Sequence, residues 1–166
     1  DYNLPKLLLK VKGKALFVRA AQSLPKKNKF IFIIKKKHYE NYKELNQNIN
    51  RNFKYSKKIL INKTSKGQAS TLYKVGNIIR KNIPIFVTST DLCFSYDKSL
   101  FRKYINNKSN IIFVCNPTKE MKKNPKQFGW VRSDKENKIL KITCKKKIEG
   151  NSKKDQVILG AFAFAS

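Results

Sequence analysis

The stretch Asn82-Ile83-Pro84-Ile85-Phe86-Val87-Thr88-Ser89-Thr90-Asp91 carries the strongest structural signal in the chain. Its apolar centre, rich in branched and aromatic residues and opened by Pro84, predicts a buried strand that surfaces through small hydroxyl residues into one carboxylate. In an open α/β sheet, ligands gather outside the carboxyl ends of the strands. An Asp presented there can hold a divalent cation without disturbing the core. An Asp after a strand also often caps the next turn, and this stretch alone leaves both roles open for Asp91.

Upstream, residues 57–61 predict a strand, and residues 70–80 predict a helix with Leu72, Val75, Ile78 and Ile79 turned inward. Gly67 lies in the loop between them. A strand, a polar Gly-bearing loop and a helix N-terminus in that order can make an anion or nucleotide site from free N–H groups and the helix dipole. An ordinary capped connection has the same outline. Earlier still, residues 29–35 carry Phe30-Ile31-Phe32-Ile33-Ile34, a continuous apolar run expected of a strand covered on both faces. Residues 15–24 predict a helix ended by Pro25, and residues 39–49 a polar one. In the opening segment, Pro5 opposes helix and Gly13 turns the chain.

Downstream, residues 99–106 read as helix and residues 110–115 as another buried strand. Strands alternating with helices at this spacing imply right-handed crossovers and a mainly parallel sheet. Beyond Pro117, residues 127–132 and 138–143 flank Asp134-Lys135-Glu136-Asn137, a hairpin signal. Trp130, the only Trp, is a candidate for core packing or for a lid over a ligand. The triplet Lys145-Lys146-Lys147 closes the hairpin and would return to the sheet beside Asp91 if the hairpin is an insertion; residues 156–164 form the last strand.

The 166 residues suit a single domain, and a 40% hydrophobic content fills its core. The longest apolar stretch, residues 157–165, is far short of the ~20 residues a bilayer helix requires. A net charge of +28 favours phosphate-bearing ligands. The lysines are spread along the whole chain, however, so most of them read as solvated surface. A nucleic-acid partner therefore ranks behind small phosphorylated ligands. Cys93, Cys115 and Cys144 are odd in number and lack zinc or redox spacing, as expected of reduced thiols in the cytoplasm. His38 is the only histidine and lies in a polar run, so hydrolase triads built on His are set aside. Asp1 is no initiator, and residues 160–166 stop in mid-strand. The expectation is one domain over residues 1–166, incomplete at its N-terminus and open at its C-terminus.

Six segments, in order, resemble the sugar-phosphate nucleotidyltransferase family. Leu4-Pro5-Lys6-Leu7-Leu8 through Leu16 is similar to the family's PKPL…V.GKPL segment, with Lys6 at its phosphate lysine. Gly67-Gln68-Ala69-Ser70-Thr71 resembles the base-reading loop, and Val87-Thr88-Ser89-Thr90-Asp91 the strand end with the metal-binding Asp. Phe128-Gly129-Trp130-Val131 resembles the strand beside the sugar pocket. Lys145-Lys146 falls at the (E/K)KP motif with Lys146 at its lysine, and Ile158-Leu159-Gly160-Ala161-Phe162 resembles the VG.F strand.

The resemblance implies a three-layer Rossmann-like, GT-A-like α/β fold with a mainly parallel mixed sheet and a β-hairpin insertion. It implies transfer of a nucleotide from a nucleoside triphosphate to a sugar 1-phosphate, for surface-polysaccharide precursors, with Mg²⁺ on Asp91. Lys6 and Lys146 become the catalytic charge-neutralising residues. Gly67, Gln68 and Ser70 become nucleotide-binding, and Gly129, Trp130 and Lys145 substrate-binding. The chain departs from the pattern in four places. It lacks the GxGxR phosphate loop that opens the family, so the polypeptide alone is expected to be inactive. Ala165 stands near the position of a second metal carboxylate, Lys147 replaces the motif's Pro, and Leu92 follows Asp91 where Asn is common. Two rivals stay open at this point: a basic nucleic-acid-binding domain, and an inactive nucleotide-binding homologue.

Overall fold

The computed structural model describes residues 4–25, 29–63, 65–79, 82–150 and 154–165. Its contacts gather into two compact units, residues 1–83 with 89–97, and residues 84–88 with 98–166. Each unit has its own core.

In the first unit, Pro5 opens a single 3-10 turn, Lys6–Leu8, rather than a fully extended segment. Pro lacks an N–H and has a fixed φ, so it is suited to the start of a helical turn. A two-strand hairpin follows, β1 (Lys10–Val11) and β2 (Lys14–Ala15). Lys12 and Gly13 sit at its tip with φ of 48° and 77°, the paired positive angles of a type I′ turn. The guanidinium of Arg19 donates to the carbonyls of Val11 and Lys12 and holds the hairpin on helix α1 (Leu16–Gln22). Strand β3 (Ile31–Lys35) pairs in parallel with β4 (Lys57–Ile61).

The polar helix expected at residues 39–49 is two helices, α2 (Lys36–Asn41) and α3 (Lys43–Asn52). The backbone of Tyr42 leaves helical geometry between them, at φ −124° and ψ 86°. Leu45 and Ile49 of α3 join Leu8, Phe17, Val18, Ile34 and Phe53 in the core. Phe30 and Phe32 stack, and Phe53 tilts against both, with ring centroids 4.9 to 6.0 Å apart. Helix α4 (Gln68–Val75) buries Val75 but ends five residues before the expected residue 80. Gly76 starts a 3-10 turn there, and Ile78 stays exposed.

The second unit is built on β9 (Gln156–Phe164). Ala163 of β9 pairs with Phe86 of β5 (Ile85–Val87) and with Ile111 of β6 (Ile111–Cys115), so these two strands flank it on opposite edges. Val157 pairs with Cys115 and with Trp130 of β7 (Gly129–Ser133). β7 thus shares an edge of β9 with β5, and it continues into the hairpin partner β8 (Ile139–Cys144). Opposite Phe113 the β6–β9 register slips, and Gly160 there has a φ of 76°, the left-handed backbone that a bulge in this position requires. Helix α5 (Lys98–Asn106) connects β5 to β6, its Phe101 packing on Phe86 and Phe113. A short helix α6 (Lys119–Lys123), N-capped by the Thr118 hydroxyl, leads toward β7. Trp130, Ile148 and Val157 form the buried cluster.

The mixed α/β architecture agrees with expectation, and one feature of the ladders does not. Among the described residues the parallel ladder is β3–β4, and the other pairings are antiparallel. β5, β6 and β7 all run opposite to β9 and therefore in one direction, as a βαβ crossover predicts. The last strand lies between β5 and β6, so the hydrogen bonds a parallel pair would share are made to β9 instead. Periodicity reveals that a strand exists but not where a distant strand will insert.

Candidate functional site

Lys6 and Asp91 meet in the first unit. The turn after Pro5 is closed by Leu8 N–H donating to the Pro5 carbonyl at 2.8 Å and Leu9 N–H to the Lys6 carbonyl at 3.2 Å. Leu8 is fully buried in the core, which anchors the turn and leaves the Lys6 side chain 71% exposed. Its ammonium donates to Asp91 Oδ2 at 2.6 Å across 85 residues of sequence. Asp91 follows the end of β5 by four residues, on a turn, with its side chain 35% exposed.

The Lys6 ammonium holds the Asp91 carboxyl below its ordinary value. Partial burial opposes this, and a hydrogen bond from the Ser89 side chain reinforces it. A folded-state value below the unfolded one means that the carboxylate's contribution is complete above the unfolded value of 3.8 and is lost as pH falls through the lower folded value. A carboxyl NMR titration is expected to give Asp91 a midpoint under 3.8; a midpoint at or above it contradicts the pairing.

An exposed pair of this kind adds only ~0–1 kcal/mol to stability. Its chemical content is a carboxylate touching an exposed ammonium, so a cation can bind one partner and a phosphate the other. Among the described residues no cluster of three His, Cys, Asp or Glu side chains forms a closed metal cage. A single partly exposed carboxylate such as Asp91 is the kind of donor that holds Mg²⁺, whose shell is commonly one or two carboxylates completed by water and substrate phosphates.

The loop at residues 65–71 is fastened around one carbonyl. Thr71 N–H donates to Gly67 O at 3.0 Å. Ser65 Oγ and Thr71 Oγ1 lie 3.0 and 3.1 Å from the same oxygen, and the two hydroxyls bond each other, so one hydroxyl donates to the other and the second donates to the carbonyl. Gly67, at φ 156° and ψ −179°, precedes the first turn of α4, where Gln68 and Ser70 are half-buried. These three nucleotide-binding candidates share the first unit with Lys6 and Asp91.

Gly129, Trp130, Lys145 and Lys146 belong to the second unit. A Cβ on Gly129 would come within 2.9 Å of Ile158 Cδ1, the tip of a β9 side chain. Trp130 is 1% exposed, and its Nε1 donates to the Pro125 carbonyl at 3.0 Å. Of the two roles open to it in the sequence, this location is that of a core residue and not of a lid. Lys145, at φ 54°, donates its N–H to the Phe128 carbonyl at 2.9 Å. Lys146 pairs with Glu149 at 2.9 Å, and this partner raises its pKa.

A groove of about 380 Å³ in the same unit is lined by Asn116, Ser133, Asp134, Lys135, Lys154 and Gln156. None of the sequence-predicted site residues lines it. His38, set aside in the sequence, lies on α2; burial, then Lys35 and Lys37, lower its pKa. Sequence reasoning missed the ion pair of Arg132 with Asp155, the one buried charged side chain among the described residues. Its signal was an acid placed directly before an apolar strand in a chain with only ten acids.

Comparison with known proteins bears on these segments. Among solved structures, a UDP-glucose pyrophosphorylase complexed with UDP-glucose superposes with a TM-score of 0.70 at 18% identity, over 98% of this chain and 68% of that one. An inositol-1-phosphate CTP transferase from T. maritima gives 0.67 at 16%, over 99% and 63%. A Bacillus anthracis protein described as a glucose-1-phosphate thymidylyltransferase, in complex with a sucrose, gives 0.69 at 17%, over 96% and 62%. At these identities the likeness is one of fold, and the chain spans about two thirds of their lengths. No curated protein sequence matches it. The family profile described as nucleotidyl transferase matches residues 2–165. With that match running through nearly its whole length, the chain belongs to the nucleotidyl transferase family.

Proposed function

We propose that the protein carrying this chain joins a nucleotide to a sugar 1-phosphate, giving a nucleoside diphosphate sugar and pyrophosphate in the cytoplasm, as a precursor for surface polysaccharide. The observation that supports this most is the contact of Lys6 with Asp91, two residues that the family resemblance singles out independently and that lie 85 positions apart. In the reaction an oxygen of the sugar phosphate attacks the α-phosphorus of the triphosphate. The new P–O bond forms as the bond to the β-phosphate oxygen breaks, and pyrophosphate carries away the electron pair. The nucleophile is already anionic, so no strong general base is required, in keeping with a chain that has one His and ten acids.

Catalysis is then chiefly positioning and charge stabilisation. Mg²⁺ bound at Asp91 would supply neutralisation of the phosphate charge. Lys6, released from Asp91, would bind a phosphate oxygen, and Lys146 would bind the sugar phosphate. Gln68 and Ser70 would face the base, with Gly129 and Lys145 beside the sugar. The test is a pyrophosphate-release assay of the full-length protein with Mg²⁺, each nucleoside triphosphate and a panel of sugar 1-phosphates. Release with at least one pair is expected. Nucleotide binding without release from any pair would reassign the chain to a non-catalytic homologue.

A further inference from the structure

The loop that carries Lys146 is fixed by more bonds than its exposed lysines need for solvation. Entering it, the Lys145 N–H donates to the Phe128 carbonyl at 2.9 Å, and the Thr143 hydroxyl donates to the Lys146 carbonyl. Two residues on, Ile148 is 2% exposed in the cluster with Trp130 and Val157. The next carbonyl, that of Glu149, accepts from Arg132 Nη2 at 3.2 Å. Arg132 is itself clamped to Asp155, Nε to Oδ1 at 2.7 Å and Nη2 to Oδ2 at 3.0 Å. Asp155 is 4% exposed.

Replacing a buried ion pair by apolar residues of similar volume is often neutral or stabilising, so fold stability alone does not account for this one. What a planar fork adds is direction. Two donors hold the carboxylate while one of them also reaches a backbone carbonyl, which a single ammonium cannot reproduce. In contrast, the Lys146 side chain is 70% exposed, and its partner Glu149 is 74% exposed. That outer pair exchanges readily in water. The loop therefore combines a pinned backbone with a transferable ammonium, which is how a site is preorganised for an anion.

We infer that Arg132 and Asp155 are positioning residues that fix the backbone at residues 145–149, so that Lys146 can exchange Glu149 for the phosphate of the sugar substrate. The assignment of that phosphate rests on the function proposed above; the fixing of the loop does not. The test compares the full-length protein with Arg132→Lys and with the double variant Arg132→Met plus Asp155→Leu. Amide hydrogen exchange at residues 145–149 is expected to speed up at least about tenfold in both, with exchange in β3 and β4 unchanged. The KM for the sugar 1-phosphate should rise about tenfold or more, and the KM for the nucleoside triphosphate far less, in line with the sensitivity of catalysis to ~1 Å misplacement.

Wild-type exchange at 145–149 in a folded variant overturns the inference, as does an unchanged KM for the sugar phosphate. If the double variant does not fold, Arg132→Lys, which keeps the charge but not the fork, decides on the same two readouts. If the wild type turns over no sugar phosphate at all, the proposed reaction fails, and hydrogen exchange alone decides whether the pair fixes the loop.

Discussion

Asp91→Asn is expected to lower Mg²⁺-dependent pyrophosphate release by at least about a thousandfold while leaving the fold intact. Asparagine keeps the shape and can still accept the Lys6 hydrogen bond, so the turn after β5 has no reason to rearrange. What disappears is the negative charge. A bound cation contributes several kcal/mol of charge stabilisation in transfer reactions of this kind, and ~4 kcal/mol corresponds to three powers of ten in rate. Stability should change by under ~1 kcal/mol, because the pair it breaks is an exposed one. Steady-state kinetics beside a denaturant titration check both halves. Undiminished turnover in a folded Asp91→Asn protein removes the metal role of Asp91.

The second large effect is on folding. Trp130→Ala should destabilise the protein by about 3–5 kcal/mol, measured as a shift of the denaturant midpoint at unchanged slope. Trp130 is 1% exposed, packs with Ile148 and Val157, and has Phe128, Met121 and Cys115 around it. Removing the indole leaves a cavity and deprives the Pro125 carbonyl of its donor. Trp130→Phe should fall between, since it refills part of the volume without the N–H. A loss under ~1 kcal/mol for Trp130→Ala would mean that the cluster is not the core of its unit.

Much of the secondary structure was legible because the signals are local. The apolar runs at Phe30–Ile34 and Ile111–Val114 are strands, and the hairpin around Asp134 and Asn137 falls within two residues of its expected ends. Asp134 Oδ1 accepts from the N–H groups of Glu136 and Lys138 there, the self-capping that makes Asp a turn residue. Element ends were less legible. Gly76 stops α4, and Tyr42 divides the polar helix, although neither interrupts the apolar periodicity that predicted them.

Strand partners were not legible at all. β9 pairs in regular register with β5 and across a bulge at Gly160 with β6, and nothing within nine residues announces which neighbours a strand will take. The candidate site divides the same way. Lys6 and Asp91 are related by family order rather than by spacing, and the structure brings them to 2.6 Å. Arg132 and Asp155 escaped because charged residues in a lysine-rich chain read as solvated, and the place of Asp155 directly before an apolar strand was a weak sign against that; the fold shows it buried.

Strand β8 has a consequence for how the protein survives at high concentration. Its residues Ile139, Leu140 and Ile142 are exposed, and its described ladder is to β7 alone. Such a border is a template on which a stray strand from another copy can grow. Lys138 and Lys141 lie along this border, and the Lys145-Lys146-Lys147 triplet follows its end. Two copies meeting border to border would set the strands ~4.8 Å apart and crowd like-charged lysines along the seam, at a range that salt screens only in part. Lysines along an open strand border disfavour such pairing, a contribution of the cationic excess that does not depend on any ligand.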